Sequence, residues 1–417
     1  MHSKPTTPAS PPAAAMDSKT VRDKHREFLF PCVANYYDEP VVLVEGKGSF
    51  ARDAEGREYL DFFGGILTLG LGHCHPEVTA AVQSQAAKLV HTSTLYPTRE
   101  IVRTAELLAA ITPGKLKKSF FTASGTEADE TAIVLAKLYT GQQEIIALRH
   151  GYSGRSQTAL AVNGHAPWRL LPSQVIGVKH APSPYCYRCP FGLEYPSCNI
   201  RCAQDLEELI RTETNGKPAA FLAEPIQGVG GYITPPKEYF GIAVAIVRKY
   251  GGIFLCDEVQ TGFGRTGDHW CGIEHSGVEP DVMTFAKSIA NGFPVGATIA
   301  RPEIADAWKG LTISTFGGGP LAMTAAATTI EVMQRENTPK RAGERGRQLR
   351  AWLDGFKTQF PCIGDVRGMG LMQALELVED RKTKEPSPKK TIALMEAAKR
   401  HGLLLGKGGL YGNVVRM

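Results

Sequence analysis

Two charged residues, Asp257 and Lys287, each follow a short apolar run that predicts a buried strand. The runs are residues 253–256 (IFLC) and 282–286 (VMTFA). In an open α/β sheet, ligands bind beyond the carboxyl ends of the strands, so both side chains are predicted to face one ligand. A carboxylate and an amine together suit pyridoxal phosphate, because its aldehyde reacts with an amine and its ring nitrogen stays protonated beside a carboxylate.

A third segment has the composition of a phosphate-binding turn. Residues 118–121 predict a short strand, and residues 122–128 (TASGTEA) lead into a helix that is predicted to continue to about Tyr139. Small residues let the backbone approach an anion closely, and the free N–H groups at a helix start are donors with a favourable dipole. The segment therefore predicts a cradle for a phosphate group.

Segments 257–267 (DEVQTGFGRTG) and 285–297 (FAKSIANGFPVGA) resemble the class III aminotransferases, which are pyridoxal-phosphate enzymes of fold type I. This family includes ornithine, 4-aminobutyrate and alanine–glyoxylate aminotransferases. The resemblance extends over nearly the whole chain from about Asp38, and residues 124–128 (SGTEA) are similar to the family's S-G-[ST]-E-A motif. It implies an α/β fold with a large, mostly parallel, seven-stranded-type sheet flanked by helices and a smaller α/β C-terminal domain.

The resemblance also implies which residues hold the cofactor. Lys287 is the catalytic amine that attaches to it, and Asp257 is the catalytic carboxylate at its ring nitrogen. The other positions that match the family's cofactor contacts are Ser124, Gly125 and Thr126 at the phosphate, Tyr152 and Val259 on opposite ring faces, Gln260 at the ring hydroxyl, and Thr315 at the phosphate.

Three of the matching positions concern the partner subunit and the substrate. In the family, the threonine equivalent to Thr315 reaches into the partner subunit's site, which implies a homodimer with two shared active sites. Glu224 resembles a glutamate of the substrate pocket that can pair with an arginine. The counterpart of that arginine is Arg416, whose guanidinium is suited to bind a substrate carboxylate in two-point fashion. The resemblance implies an amino donor and a 2-oxo acid acceptor that react in turn.

Some positions depart from the family pattern. Many members have His where this chain has Ser153, and members usually have Asn where it has Gly319. Residues 61–66 (DFFGGI) lack the tyrosine or arginine that some relatives use for a second carboxylate. This difference favours an alanine–glyoxylate-like donor or a simple ω-amine over ornithine.

The chain is predicted to have four parts. They are a disordered tail at 1–20, an N-terminal segment at 21–75, a large pyridoxal-phosphate-binding domain at 76–310 and a small C-terminal domain at 311–417. The tail prediction rests on residues 1–16, which are rich in Pro and Ala and have no periodic apolar face. Relatives continue beyond the position of Arg416 with a further strand and helix, so the small domain is expected to be incomplete.

Four of the nine cysteines are clustered in one segment with the spacing C-x2-C-x8-C-x3-C: Cys186, Cys189, Cys198 and Cys202. Thiolates at short paired spacings suit tetrahedral zinc. The alternative is that reduced or paired cysteines stabilise a loop, because the spacing differs from familiar zinc-finger patterns. The segment is remote in sequence from the predicted chemistry, so no metal is assigned to the reaction.

The composition is that of an ordinary globular protein, with 43% apolar and 21% charged residues among 417. The net charge of +5 is spread along the chain, which argues against nucleic-acid binding. No apolar run approaches the roughly 20 residues of a membrane span, and the N-terminus lacks the apolar core of a signal peptide. We therefore expect a cytoplasmic protein that does not bind membranes.

Two other functions share the same residues. Relatives on this scaffold include a dialkylglycine decarboxylase and lyases that act on amino-alcohol phosphates, and the attaching lysine and ring-nitrogen carboxylate do not discriminate among them. The second alternative is a truncated chain that dimerises without catalysis. Transamination is the prediction adopted, because it is the commonest activity in the family.

Overall fold

A computed structural model describes residues 16–33, 35–169 and 177–417. The α-helices, in chain order, are α1 Ser18–Phe28, α2 Gly64–Leu67, α3 Pro76–Ala86, α4 Arg99–Ile111, α5 Gly125–Thr140, α6 Gln157–Val162, α7 Arg201–Glu213, α8 Tyr239–Lys249, α9 Pro302–Ala305, α10 Pro320–Arg335, α11 Thr338–Gln359 and α12 Pro388–Arg400. No helix in these ranges is both long enough and apolar enough to cross a bilayer.

The strands belong to three sheets. They are β1 Leu43–Lys47, β2 Phe50–Asp53, β3 Glu58–Asp61, β4 Lys118–Thr122, β5 Ile145–Leu148, β6 Val178–Ala181, β7 Ala220–Ala223, β8 Ile253–Asp257, β9 Val282–Phe285, β10 Gly296–Ala300, β11 Ile363–Met369, β12 Met372–Leu377, β13 Leu403–Leu404, β14 Gly406–Gly408 and β15 Val414–Arg416.

The large sheet has seven strands in the order β4-β10-β9-β8-β7-β5-β6. Strand β10 is antiparallel to both of its neighbours, and the pairs from β9 to β6 are parallel. Strands β5, β7, β8 and β9 are buried along their whole length, as expected for parallel strands with both faces covered by helices. The predicted mostly parallel α/β sheet is therefore confirmed.

The apolar run that precedes Asp257 forms the centre of this core. Phe254 is fully buried, and its ring stacks on that of Phe221 in the neighbouring strand with centroids 5.8 Å apart. Burying one such side chain contributes roughly 1.5–3 kcal/mol, so the central strands are held by apolar contact and not by the charged residues at their ends. The two predicted strands before Asp257 and Lys287 are both present.

The N-terminal part of the chain departs from the predicted disorder in one place. Residues 1–15 of the predicted tail lie outside the described residues, but helix α1 begins at Ser18, within the range 1–20. Asp17 caps this helix by accepting a hydrogen bond from the N–H of Thr20 at 2.7 Å. The prediction of disorder for residues 18–20 was wrong, because it was based on composition and overlooked this cap.

Two smaller sheets flank the large one. Strands β1, β2 and β3 are antiparallel, and β13 joins β3 from the C-terminal part of the chain. The other sheet has the antiparallel order β11-β12-β15-β14. Helix α10 lies beyond residue 310, where the small domain was predicted to begin, yet its buried residues share the core of the large sheet. The domain boundaries stay predictions.

A buried carboxylate joins the small sheet to the large domain. Glu376 on β12 is fully buried and accepts hydrogen bonds from Arg367 Nη1 at 2.6 Å, Arg188 Nε at 2.5 Å and the Tyr185 hydroxyl. Burial alone would raise the pKa of Glu376, but the charge of Arg367, the Tyr185 hydroxyl and Arg188 together outweigh burial, and the pKa is lowered. Arg367 Nε also donates to the Gly231 carbonyl at 2.8 Å, so this cluster positions the loop after β7.

We predict that Glu376→Ala lowers the free energy of unfolding by about 3 kcal/mol, because it leaves the half-buried Arg188 without its carboxylate and the buried Arg367 with Asp365 alone. The measurement is urea unfolding of the holoenzyme. The control is Glu45→Ala, which removes an exposed partner of Arg52 and should cost less than about 1 kcal/mol. Equal effects of the two substitutions would contradict the structural role of Glu376.

Candidate active site

Four adjacent parallel strands deliver polar residues to one edge of the large sheet. Tyr152 follows β5, Glu224 follows β7, Asp257 ends β8 and Lys287 follows β9. Because the carboxyl ends of these strands meet at the same edge, the structure brings together the four residues that the sequence placed there. Lys287 has a φ of 52°, a left-handed backbone conformation that is uncommon for a residue with a side chain.

The amine of Lys287 lies among carboxylates in a water-poor site. Burial lowers its pKa, and the charges of Asp257, Glu224 and Asp129 act in the opposite direction. The net direction is downward, so a larger fraction of Nζ is neutral near pH 7 than for a lysine in water. A neutral amine can attach to an aldehyde or accept a proton.

The carboxylate of Asp257 is fixed by one backbone hydrogen bond and can still accept another. It is buried, and its Oδ1 accepts a hydrogen bond from the Val259 N–H at 2.9 Å. Burial raises the pKa of Asp257, while this N–H and the charge of Lys287 favour the ionised form. An ionised carboxylate at this place can hold a proton on the nitrogen of a pyridine ring.

The predicted phosphate cradle lies at the start of helix α5. The Ser124 hydroxyl accepts a hydrogen bond from the Glu127 N–H at 3.3 Å and donates to Glu127 Oε2 at 3.1 Å, which is reciprocal capping. Gly154 has a φ of 124°, and a Cβ there would lie 2.0 Å from Thr126 Oγ1. Only glycine at 154 therefore lets the loop after β5 approach the cradle residue Thr126.

The residues next to the cradle have the features that a ring cofactor requires. A Cβ on Gly125 would lie 3.3 Å from both methyl groups of Val259, so a side chain at 125 would press on Val259 and shift it. Gln260 is buried, and its Oε1 has no hydrogen-bond partner in the part of the chain that the structure describes. An orphaned buried acceptor is unfavourable unless a ligand satisfies it, and a ring hydroxyl can do so.

Glu224 and Tyr152 are linked through the backbone. Glu224 Oε1 accepts the Tyr152 N–H at 3.0 Å, and its Oε2 accepts the Gly228 N–H at 2.8 Å. Burial, followed by the charge of Asp257, raises the pKa of Glu224 to about 8. The half-buried Tyr152 ring packs edge to face on Trp168 at 5.3 Å between centroids. Trp168 was not singled out from the sequence, which gave no signal for it.

Arg416 reaches the same site from the small sheet. It is buried on β15, where Nε donates to the Lys407 carbonyl at 3.0 Å and Nη1 to the Gly228 carbonyl at 3.2 Å. The expectation that Glu224 pairs with this arginine was wrong for this structure. The two side chains bind the N–H and the carbonyl of Gly228 instead, and both carboxylate oxygens of Glu224 are already occupied.

Thr315 is the predicted cofactor-binding residue that does not lie with the others at the edge of the large sheet. It is exposed in the loop that precedes helix α10, where the neighbouring Ser314 carbonyl accepts the Thr94 N–H at 3.4 Å. Within one subunit the structure gives Thr315 no contact with the other predicted site residues. Its assignment to the cofactor stays a prediction.

The sequence reasoning missed a buried acid behind Asp257. Asp129 lies on the buried face of α5, where its neighbours on that face include Ala128, Ala132 and Ile133. A charged residue at helical spacing within an apolar face was a usable signal. Ser153, noted only as a departure from the family, is also buried, and its hydroxyl is near enough to Asp129 to lower the pKa of that carboxyl.

The clustered cysteines lie outside this site. Cys186, Cys189, Cys198 and Cys202 are free thiols that line one cavity between the 183–202 segment and Pro236. Within residues 16–33, 35–169 and 177–417, no three candidate ligands are arranged to hold a metal ion. The arrangement therefore gives no support to the zinc alternative.

These residues fit pyridoxal phosphate. The unsatisfied Gln260 would bind the ring hydroxyl, the start of α5 would hold the phosphate, and Lys287 and Asp257 would meet the aldehyde and the ring nitrogen. When bound, this cofactor supplies a ring that accepts electrons from the carbon that carries the amino group. Lys287 Nζ would move the proton from that carbon to the former aldehyde carbon of the cofactor, and Asp257 would hold the proton on the ring nitrogen.

Comparison with known proteins agrees with this site. Residues 32–417 match the family described as Aminotransferase class-III. The "Alanine--glyoxylate aminotransferase 2 homolog 2, mitochondrial" of Arabidopsis thaliana is 42% identical over 408 residues, which cover 98% of this chain and 84% of that protein. The human "Alanine--glyoxylate aminotransferase 2, mitochondrial" is 35% identical over 440 residues, with coverages of 99% and 86%.

Among solved structures, an aminotransferase from Bacillus anthracis superposes with a TM-score of 0.89 at 29% identity, covering 97% of this chain and 94% of that one. The match confirms the predicted fold type I architecture. The family match confirms amino-group transfer over the lyase, decarboxylase and non-catalytic alternatives. The chain therefore belongs to the class III aminotransferases and is an enzyme that transfers amino groups with pyridoxal phosphate as its cofactor.

Proposed function

We propose that this aminotransferase takes its amino group from a small α-amino acid such as L-alanine and passes it to glyoxylate or another 2-oxo acid. The observation that carries the proposal is Arg416. Its guanidinium is buried, and no carboxylate in the described part of the chain lies within ion-pair distance of it. A buried charge without a partner is costly, and a substrate carboxylate would neutralise it.

The surroundings of Arg416 suit a short substrate with a single carboxylate. Its guanidinium lies over the rings of Phe63, at 5.0 Å from the centroid, and Tyr232, at 5.6 Å. Residues 61–66 offer no second cation near this position. Both relatives named above are alanine–glyoxylate aminotransferases, which supports the same choice of substrates. A simple ω-amine donor is the competing choice.

We predict that Arg416→Gln lowers kcat/KM for L-alanine by about 100-fold, because a charge-assisted hydrogen bond to the carboxylate contributes up to about 3 kcal/mol. For butylamine, which has no carboxylate, kcat/KM should change by less than about threefold. The measurement is steady-state kinetics with glyoxylate as acceptor. Arg335→Gln, at an exposed arginine paired with Glu77, is the control and should affect neither donor.

Equal losses for L-alanine and butylamine in Arg416→Gln would contradict the proposed role, since a folding defect would affect both donors alike. If wild-type enzyme preferred butylamine to L-alanine, the ω-amine alternative would replace the proposal.

We further propose that the enzyme is a homodimer whose two active sites each contain Thr315 of the partner subunit. Support comes from an exposed apolar surface formed by two neighbouring loops, 89–96 and 311–316. Its members include Leu95, Tyr96, Leu311, Ile313 and Phe316, and Leu311 is fully exposed. A contiguous apolar patch of this kind indicates a protein interface, and a second copy would cover it with the same residues.

A pair of defective variants tests this arrangement. Lys287→Ala removes the catalytic amine, and Thr315→Glu places a negative charge where the cofactor phosphate is expected. Each homodimer should be inactive. In a heterodimer of the two variants, one site combines the intact Lys287 with the intact Thr315 from the other chain, so we expect about one-quarter to one-half of wild-type activity.

The measurement is the activity of heterodimers purified through two different affinity tags. If Thr315 served the site of its own subunit, neither site of the heterodimer would be complete, and activity would stay at the level of the homodimers. A monomeric wild-type protein in light scattering would also contradict the proposal.

We propose a cytoplasmic location as well. Support comes from the cysteines, all nine of which are free thiols, since thiols persist in a reducing compartment. Both relatives named above carry "mitochondrial" in their names, so cell fractionation decides between the two compartments. Recovery of the chain outside the cytosolic fraction would contradict the proposal.

A further inference from the structure

Two carboxyl groups lie next to each other behind the cofactor site. Asp129 on helix α5 and Asp257 at the end of strand β8 are both buried. Thr284, whose hydroxyl donates to Asp129 Oδ1 at 2.6 Å, lies directly opposite Asp257 on strand β9. Packing alone does not explain an acid at position 129, because an apolar side chain would be less costly to bury on this face of α5. The contact therefore calls for a chemical explanation.

The remaining contacts of Asp129 are hydroxyl groups and not cations. Thr284 Oγ1 donates to Asp129 Oδ1 at 2.6 Å, and the nearby Ser153 hydroxyl acts to lower the pKa of Asp129. No lysine or arginine forms an ion pair with Asp129 in the ranges that the structure describes. If Asp129 and Asp257 were both ionised, the amine of Lys287 would be the cation that acts on the two carboxylates in the described part of the chain.

Two ionised carboxylates buried side by side repel each other, and as acceptors only they cannot share a hydrogen bond. A proton on one of the two acids removes the repulsion and supplies a donor. Asp257 is the better place for the negative charge, since its Oδ1 accepts the Val259 N–H at 2.9 Å and the charge of Lys287 acts on it. Asp129 has only hydroxyl groups around it, which serve either protonation state.

We propose that Asp129 is a positioning residue, a neutral carboxylic acid that donates a hydrogen bond to Asp257 and keeps this carboxylate ionised and aimed at the ring nitrogen of pyridoxal phosphate. The inference rests on the cofactor and not on the identity of the amino donor. The pKa values agree with it: burial, then the charge of Asp257, raises the pKa of Asp129 well above its ordinary value. Burial also raises the pKa of Asp257, and Asp129 is among the groups that oppose this rise, after the Val259 N–H and the charge of Lys287.

The proposed hydrogen bond has a consequence for the cofactor. Asp257 would otherwise be free to rotate or to take up a proton itself, and a protonated Asp257 could not hold a proton on the ring nitrogen. The donor at Asp129, together with the Val259 N–H, fixes the carboxylate in one orientation and favours its charged form. Asp129 acts through Asp257 and does not itself contact the cofactor.

The first test asks directly where the proton is. The infrared difference spectrum of wild-type holoenzyme minus Asp129→Asn holoenzyme should contain the C=O stretch of a protonated carboxylic acid at pH 7, and this band should shift in D2O. Glu224 and Glu258, whose pKa values are raised to about 8 and about 7, are present in both proteins and cancel. Carboxylate bands in place of the acid band would overturn the proposal.

The second test measures the affinity for the cofactor and the protonation of its ring nitrogen, and does not depend on activity. Asn at 129 keeps an N–H donor toward Asp257, so Asp129→Asn should bind pyridoxal phosphate within about threefold of wild type. Asp129→Ala removes the donor and should raise the dissociation constant by about tenfold or more. With cofactor labelled with ¹⁵N at the ring nitrogen, the NMR shift should stay that of a protonated ring in Asp129→Asn and move toward the unprotonated value in Asp129→Ala.

Asp281→Asn provides the matched control. Asp281 is also buried beside the central strands, but it pairs with Arg248 and Arg301 and lies before strand β9, at the opposite edge from the site. Its substitution should leave the ¹⁵N shift unchanged. If Asp129→Asn and Asp129→Ala gave the same shift and the same affinity, the proposal would be wrong, and if Asp129→Ala does not fold, the infrared comparison with Asp129→Asn decides alone.

Discussion

The placement of a carboxylate and an amine side by side, away from water, is the constraint on which the rest of this structure depends. Asp257 and Lys287 come from neighbouring parallel strands, so the apolar packing of those strands fixes where the two groups meet. In water each group would keep its ordinary pKa. Burial instead lowers the pKa of Lys287 and raises that of Asp257, which brings both groups toward the range where protons move near neutral pH.

These buried charged groups need hydrogen-bond partners from parts of the chain outside the large sheet. Glu224 is satisfied by two backbone N–H groups, and Arg416 is held by two carbonyls, which leaves its charge available to a substrate. Arg416 belongs to the small sheet, and the Glu376 cluster ties this sheet to the loop that follows β7. The position of the substrate group thus depends on the contact between the two parts of the molecule.

The sequence was sufficient to predict the local features of the site. The strands before Asp257 and Lys287 are continuous apolar runs. The composition of the turn at Ser124 is typical of the start of a helix. Contacts between distant segments could not be predicted in the same way. The contact of Arg416 with the Gly228 carbonyl, and the place of Asp129 beside Thr284 and Asp257, depend on packing between elements far apart in the chain.

The measurement that tests the account most directly is a single turnover of the enzyme loaded with pyridoxal phosphate and mixed with L-alanine in the absence of an acceptor. We expect about one pyruvate per subunit and no ammonia, because the amino group stays on the enzyme until a 2-oxo acid removes it. Addition of glyoxylate should then restart pyruvate formation. Continued pyruvate formation without an acceptor, or release of ammonia, would contradict amino-group transfer by this site.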